Sequence, residues 1–244
     1  MPRFLRDLPR RVLLVVLSAG SALITAMSLP YFDFETLPPF VIEKLPVRFE
    51  SLWLASLRIH VLAASIALPL CLALMTRSLQ RRPALHRALG RVAGAVTLFA
   101  LVPSGVVLSF DAKGGAIVTA GFLLSAAIVA WGVVRGVSAA RRRELASHRR
   151  AMLHVVAQMS VAVTSRALIV ALDVFGVDPE LAYAVALWVP VLASATVVEL
   201  AASRSALEKS KVVHAAERIR REISAFLLRL RARSVVHAVA RLGR

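Results

Sequence analysis

"ALHRALGRVAG", residues 84–94, runs on without a break into "RVAGAVTLFALVPSGVVLSF", residues 91–110. A cluster of arginines gives way to a stretch that carries no charge after Arg91. At about 1.5 Å of rise per residue, roughly 20 apolar residues cross a hydrocarbon layer about 30 Å thick. Five further stretches read the same way: 12–30, 51–75, 115–135, 151–172 and 181–202. The pattern predicts an all-α fold, a polytopic membrane bundle of six transmembrane helices.

Composition supports this reading. The chain has 244 residues, is 58% hydrophobic and carries a net charge of +17. In a soluble protein that charge would suggest nucleic acid. Here the arginines sit between apolar blocks, which points to the anionic headgroups of a bilayer and not to nucleic acid. Cys71 is the only cysteine, which excludes an internal disulfide and a cysteine-based zinc site.

The charges also predict sidedness. Arg3, Arg6, Arg10 and Arg11 precede the first stretch. Arg77, Arg81, Arg82, Arg87 and Arg91 lie between the second and third, and Arg141, Arg142, Arg143, Arg149 and Arg150 between the fourth and fifth. The loops 31–50, 111–114 and 173–180 hold Asp33, Glu35, Glu43, Glu50, Asp111, Asp173, Asp178 and Glu180, with only Lys44, Arg48 and Lys113 as cations. The positive-inside rule then puts both termini in the cytoplasm, in a bacterial inner membrane. A rival reading of the first stretch is a signal peptide ending in "ITAMS". Against it stand the length of the apolar run and the charge alternation that continues after it.

Three regions follow. Residues 1–50 hold the first span and an outer loop, 51–202 a five-helix core, and 203–244 a basic tail. The loop 31–50, with three prolines, reads either as a cap on the outer interface or as a plain linker. In the tail, Val212, Ala216, Ile219, Ile223, Phe226 or Leu227, and Leu230 recur at three- and four-residue steps beside Arg218, Arg221, Arg229 and Arg233. Such a C-terminal amphipathic helix suits the headgroup plane or a membrane protein partner.

Ionisable groups inside the spans are few and costly: Arg58, His60, His154, Arg166 and Glu199. His60 lies roughly 14 Å below the outer end of its span, and Arg166 roughly 9 Å below the outer end of its own, so the two could share the outer half. Arg58 is nearer the surface and can snorkel. His86 and His148 each stand at the inner border of a helix running outward, with His154 and Glu199 at similar depth. Imidazoles ligate haem iron and relay protons. Two helices that each offer one histidine at matched depth meet the demand of axial haem ligation. The plainer account has both rings among headgroups, bonding phosphates beside the arginines. For Glu199 the plainer account is a counter-ion for an arginine.

"ALHRALGRVAG", "GGAIVTAGFLLSAAIVAWG", "SHRRAMLHVVAQMSVAVTSRALIV" and "AYAVALWVPVLASATVVEL" follow one another over residues 58–200. Together they resemble the bacterial membrane family known as domain of unknown function 2306. The matching positions are His60, His86, Arg87, Gly90, Gly114, Gly115, Trp131, His148, Arg149, Met152, Arg166, Tyr183, Trp188 and Glu199. The family commonly has tryptophan after the second His-Arg pair and asparagine after the proline of the last span; here those places hold Ala151 and Val191. The resemblance implies a polytopic inner-membrane protein and supplies no established activity. More distantly the chain is similar to two-haem transmembrane cytochromes, but no helix here carries their paired histidines. At most one haem b fits, with His86 and His148 on its iron.

Two functions from different classes remain. The first is a redox or cofactor-binding membrane protein, with a single b-type haem or a quinone held among His60, His86, His148, Arg166 and Glu199. The second is a non-catalytic subunit or assembly factor of a larger complex, with residues 203–244 contacting the partner. An intramembrane metal hydrolase ranks below both, because no pair of histidines at i and i+4 is present.

Overall fold

The computed structural model describes residues 3–33, 35–204, 217–218 and 220. Every regular element among them is helical: α1 (Arg3–Met27), α2 (Pro39–Lys44), α3 (Glu50–Leu74), α4 (Arg77–Gln80), α5 (Pro83–Val96), α6 (Val102–Ser109), α7 (Gly115–Arg141), α8 (Leu145–Met159), α9 (Val161–Val174) and α10 (Pro179–Arg204). A π turn at Thr97–Leu101 joins α5 to α6, and α8 and α9 run on through Ser160, so each pair forms one long helix. The chain divides into two compact units, Met1–Val198 and Glu199–Arg244. In the second unit the described residues are the last turns of α10 and the helical residues 217, 218 and 220. The amphipathic helix expected over 212–230 otherwise lies outside the described residues.

Five helices are long and apolar enough to cross a membrane: Glu50–Leu74, Pro83–Ser109, Gly115–Arg141, Leu145–Val174 and Pro179–Arg204. The expected count of six is corrected at the first stretch. There the helix stops at Met27, and Pro30 begins a 3-10 turn over Leu29–Phe32. The apolar section of α1, Arg11–Met27, is a shorter helix. At about 1.5 Å per residue it falls about 5 Å short of the hydrocarbon thickness. Only 22–28% of each spanning window is buried within the protein. Most of the apolar surface, including Phe99 and Val170, therefore needs lipid against it.

The helix at the centre is α3, which packs against α1, α5, α6 and α8. Its Ala67, Leu68, Cys71 and Leu72 meet Leu17 of α1, Ala93 of α5, Val129 and Val133 of α7, and Val155 and Met159 of α8. Towards the other end, Val118 of α7, Val161 of α9 and Leu187 and Val191 of α10 form a second cluster. A third joins the 31–50 segment to α3: Val41 is buried against Trp53 and Leu57, with Tyr31 beside them. That segment is the packed cap of the two alternatives, and α2 lies within it.

The tightest pairing is the antiparallel hairpin of α7 and α8. Gly132 and Gly136, four residues apart, face α8. A Cβ on Gly132 would stand 2.7 Å from Val155 Cγ2 and 3.2 Å from the carbonyl oxygen of Ala151, and one on Gly136 would run into the Met152 side chain. Small residues at this spacing let two backbones approach closely where no hydrophobic force drives them together. The hairpin turns through Arg143, which adopts a left-handed φ of 62°. There the Glu144 N–H donates to Ala139 O (2.9 Å) and the Arg143 N–H to Ala140 O (3.1 Å). This is a Schellman cap with arginine in the place where glycine is unstrained.

Three outcomes follow from the hairpin, each read as the melting temperature of detergent-purified protein. Gly132→Val pushes into backbone and a β-branched neighbour, and lowers stability by about 3 kcal/mol. Gly136→Ala costs less, because the obstructing atoms are the far end of a flexible methionine. Arg143→Gly relieves the left-handed conformation and raises stability by about 1 kcal/mol.

Candidate functional site

At the arginine-rich end of the bundle, His86 and His148 occupy equivalent places. Each is the fourth residue of its helix, α5 or α8. The backbone N–H of His86 donates to Arg82 O (2.9 Å) and that of His148 to Glu144 O (3.0 Å), so both rings belong to an ordered first turn and not to the preceding loop. His148 Nδ1 lies 2.9 Å from the carbonyl oxygen of Gly136. A carbonyl can only accept, so Nδ1 carries the proton of that bond. The close approach at Gly136 makes that bond possible. His86 Nδ1 is buried and has no hydrogen-bond partner among the described residues. The two imidazoles are near enough for the charge of His148 to act on His86. One turn along α5, a Cβ at Gly90 would meet nothing, which leaves open space beside the His86 face.

The other half of the bundle holds the second pair. His60 Nδ1 lies 3.2 Å from Leu101 O and 3.3 Å from Ser104 Oγ. The Ser104 hydroxyl itself donates to Ala100 O (2.6 Å). These contacts gather at the π turn, which ends two residues before Pro103. Proline has no N–H for the usual fourth-residue carbonyl, and a wider turn accommodates its ring. Gly105 makes the approach possible: a Cβ there would stand 3.0 Å from His60 Cε1. The charge of Arg166 acts on His60, on Tyr183 of α10 and on Tyr31 in the cap. Arg58 Nε donates to the Tyr31 carbonyl at 3.2 Å.

The four candidate residues of the first unit fall in two places. His86 and His148 come together at one end, and His60 and Arg166 in the other half. Glu199 lies in the last turns of α10, in the second unit. His154 is buried in the next layer above His148, with its ring edge-on to Trp131 at 6.1 Å between centroids. Among the described residues no three or more His, Cys, Asp or Glu side chains could hold a metal ion.

A polar node has no counterpart among the residues singled out from the sequence. Gln158 of α8 is buried, and its Oε1 accepts from Ser125 Oγ of α7 at 3.1 Å. Its Nε2 donates to Val191 O (2.9 Å) and Ser194 Oγ (3.0 Å) of α10. One amide thus ties three helices. The available signal was a lone glutamine inside "VVAQMSVAV" with serines at matched depth in two other spans.

A family model described as "Predicted membrane protein (DUF2306)" matches residues 57–202. No curated protein and no solved structure matches the chain. The Gln158 node lies inside the matched region. Gln158→Leu removes three interhelical hydrogen bonds, each of about 0.6 kcal/mol in a membrane protein, and lowers stability by about 2 kcal/mol. Thermal unfolding in detergent checks this; an unchanged midpoint would show the node to be dispensable.

Proposed function

We propose a redox role for this chain, which belongs to the DUF2306 family of predicted membrane proteins. In this reading one planar cofactor, haem b, is held between His86 and His148 at the arginine-rich end of the bundle. The observation that carries it is two imidazoles at equivalent first-turn places at one end of the bundle, one bonded through Nδ1 and one with a buried Nδ1 without a partner among the described residues. His148 has its Nδ1 proton committed to Gly136 O, which in the neutral ring leaves Nε2 available as a ligand. A backbone carbonyl behind the ring is the usual outer partner of a metal-bound histidine. His86 offers a buried Nδ1 with no partner among the described residues, and Gly90 leaves room beside it. Two nitrogens suit the axial positions of a haem and are too few for structural zinc. A quinone is the other cofactor the pair suits, through hydrogen bonds to its carbonyl oxygens.

Sidedness belongs to the same proposal. The arginine clusters that flank α4, α5 and the α7–α8 turn put this end in the cytoplasmic leaflet of an inner membrane, against anionic headgroups, with the Arg204 end of α10 on the same side. The cofactor then sits within reach of a soluble electron donor.

The test is an absorption spectrum of detergent-purified protein supplied with haem, oxidised and then reduced. The expected result is a Soret band that shifts on reduction. It is lost in His86→Ala and His148→Ala and kept in His60→Ala, whose ring lies in the other half. A quinone recovered by solvent extraction, and lost in the same two variants, would replace haem with quinone. No cofactor of either kind in a folded protein would overturn the redox reading. It would favour the non-catalytic subunit, whose mark is loss of partner association on deleting 203–244.

A further inference from the structure

The second pair of residues suggests a different ligand. Arg166 stands on α9 eight residues from its end at Val174, about 12 Å along the helix. An arginine at that depth ordinarily snorkels towards the nearer surface. This one does not: its Nη1 donates to Ala162 O at 2.8 Å, one turn back along the helix and away from the Val174 end. Helical side chains lean towards the N-terminus, which favours that direction. The charge is therefore held inside the apolar layer, where it costs several kcal/mol unless compensated.

Among the described residues no carboxylate supplies that compensation. The Arg142–Glu144 pair lies at the arginine-rich end, and Glu43, in the cap, is already paired with Lys113. The groups that feel the charge of Arg166 are Tyr31, His60 and Tyr183, from three different elements. His60 has its Nδ1 engaged with Leu101 O and Ser104 Oγ at the π turn. Arg166 is the cation common to these three groups; Arg58 donates to the Tyr31 carbonyl and Lys113 also acts on Tyr183. Its side chain is exposed on the protein surface, and Val170, on the same face one turn nearer the end, is 64% exposed. A guanidinium exposed on an apolar helix face, with no carboxylate bonded to it among the described residues, can draw an anion from the bilayer.

We propose that Arg166, with Tyr31 and Tyr183, binds the phosphate head of one acidic phospholipid, drawn inward from the leaflet at the Val174 end. The planar guanidinium fork matches two phosphate oxygens, and local thinning of the bilayer brings the head to the charge. The acyl chains lie along the exposed apolar residues of α9. This site is separate from the His86–His148 pair and does not depend on it.

The experiment is native mass spectrometry of the detergent-purified full chain, with phosphatidylglycerol titrated in. The wild type is expected to retain one lipid under conditions that strip the rest. Arg166→Gln is expected to lower that retention at least tenfold. Arg166→Lys keeps the charge but loses the fork, and falls in between. Tyr31→Phe and Tyr183→Phe together lower retention about threefold. Phosphatidylcholine, without net charge, is retained at least tenfold less than phosphatidylglycerol. Equal retention by Arg166→Gln with an unchanged melting temperature would overturn the site. Equal retention of the two lipids would overturn the acidic headgroup, and displacement by millimolar inorganic phosphate would overturn the lipid as its source. Should Arg166→Gln fail to fold, Arg166→Lys takes its place, and full wild-type retention in that variant would overturn the guanidinium fork.

Discussion

Hydrocarbon offers no hydrogen bonds, and the rest of this structure depends on that. A backbone that crosses it must satisfy its own N–H and C=O groups, which leaves helices as the solution for this chain. Helices alone do not choose their neighbours in lipid, because an apolar side chain gains little by leaving lipid for another apolar surface. The pairings must come from shape and from polar atoms. Here α7 and α8 approach through Gly132 and Gly136, and the close approach brings the Gly136 carbonyl within reach of His148. Packing and polar contact are thus one event: the glycine that permits contact is also the hydrogen-bond acceptor.

The buried polar groups follow the same logic at three depths. At the arginine-rich end, the His148 imidazole fastens the α7–α8 hairpin. Deeper in the bundle, Gln158 ties α7, α8 and α10 with both ends of its amide. In the other half, His60 bonds the carbonyl of Leu101 at the π turn before Pro103. Each satisfies a group that would otherwise be costly in low dielectric. His86 and Arg166 are two of the departures, and Trp53 Nε1 and Thr97 Oγ1 are also buried without a partner among the described residues. His86 has a buried nitrogen without a partner among the described residues, and Arg166 has a charge turned inward without a carboxylate among them. Departures of this kind are where a membrane protein meets something other than itself, and His86 and Arg166 lie in opposite halves of the bundle.

The sequence also misled in an instructive way. Apolar length alone counted 12–30 as a full span, yet Pro30 ends the regular helix early and turns the chain into the Tyr31–Phe40–Trp53 cap. Hydropathy records how apolar a stretch is and not where its backbone changes hand or pitch. The same limit hid the π turn at Thr97–Leu101, which has the composition of its surroundings.

What the sequence by itself determined is the class of fold and the place of each element along the bilayer normal. Long uncharged runs between arginine clusters have one cheap arrangement in a low-dielectric slab, and depth follows from residue count. His60 and Arg166, and His86 and His148, were therefore legible as pairs at matched depth. Which helices stand side by side was decided only in the folded bundle. Lateral neighbours depend on glycines against particular side chains, such as Gly132 against Val155 and Gly105 against His60, and on single hydrogen bonds such as those of Gln158. A one-dimensional pattern of hydropathy and charge carries depth; it does not carry azimuth.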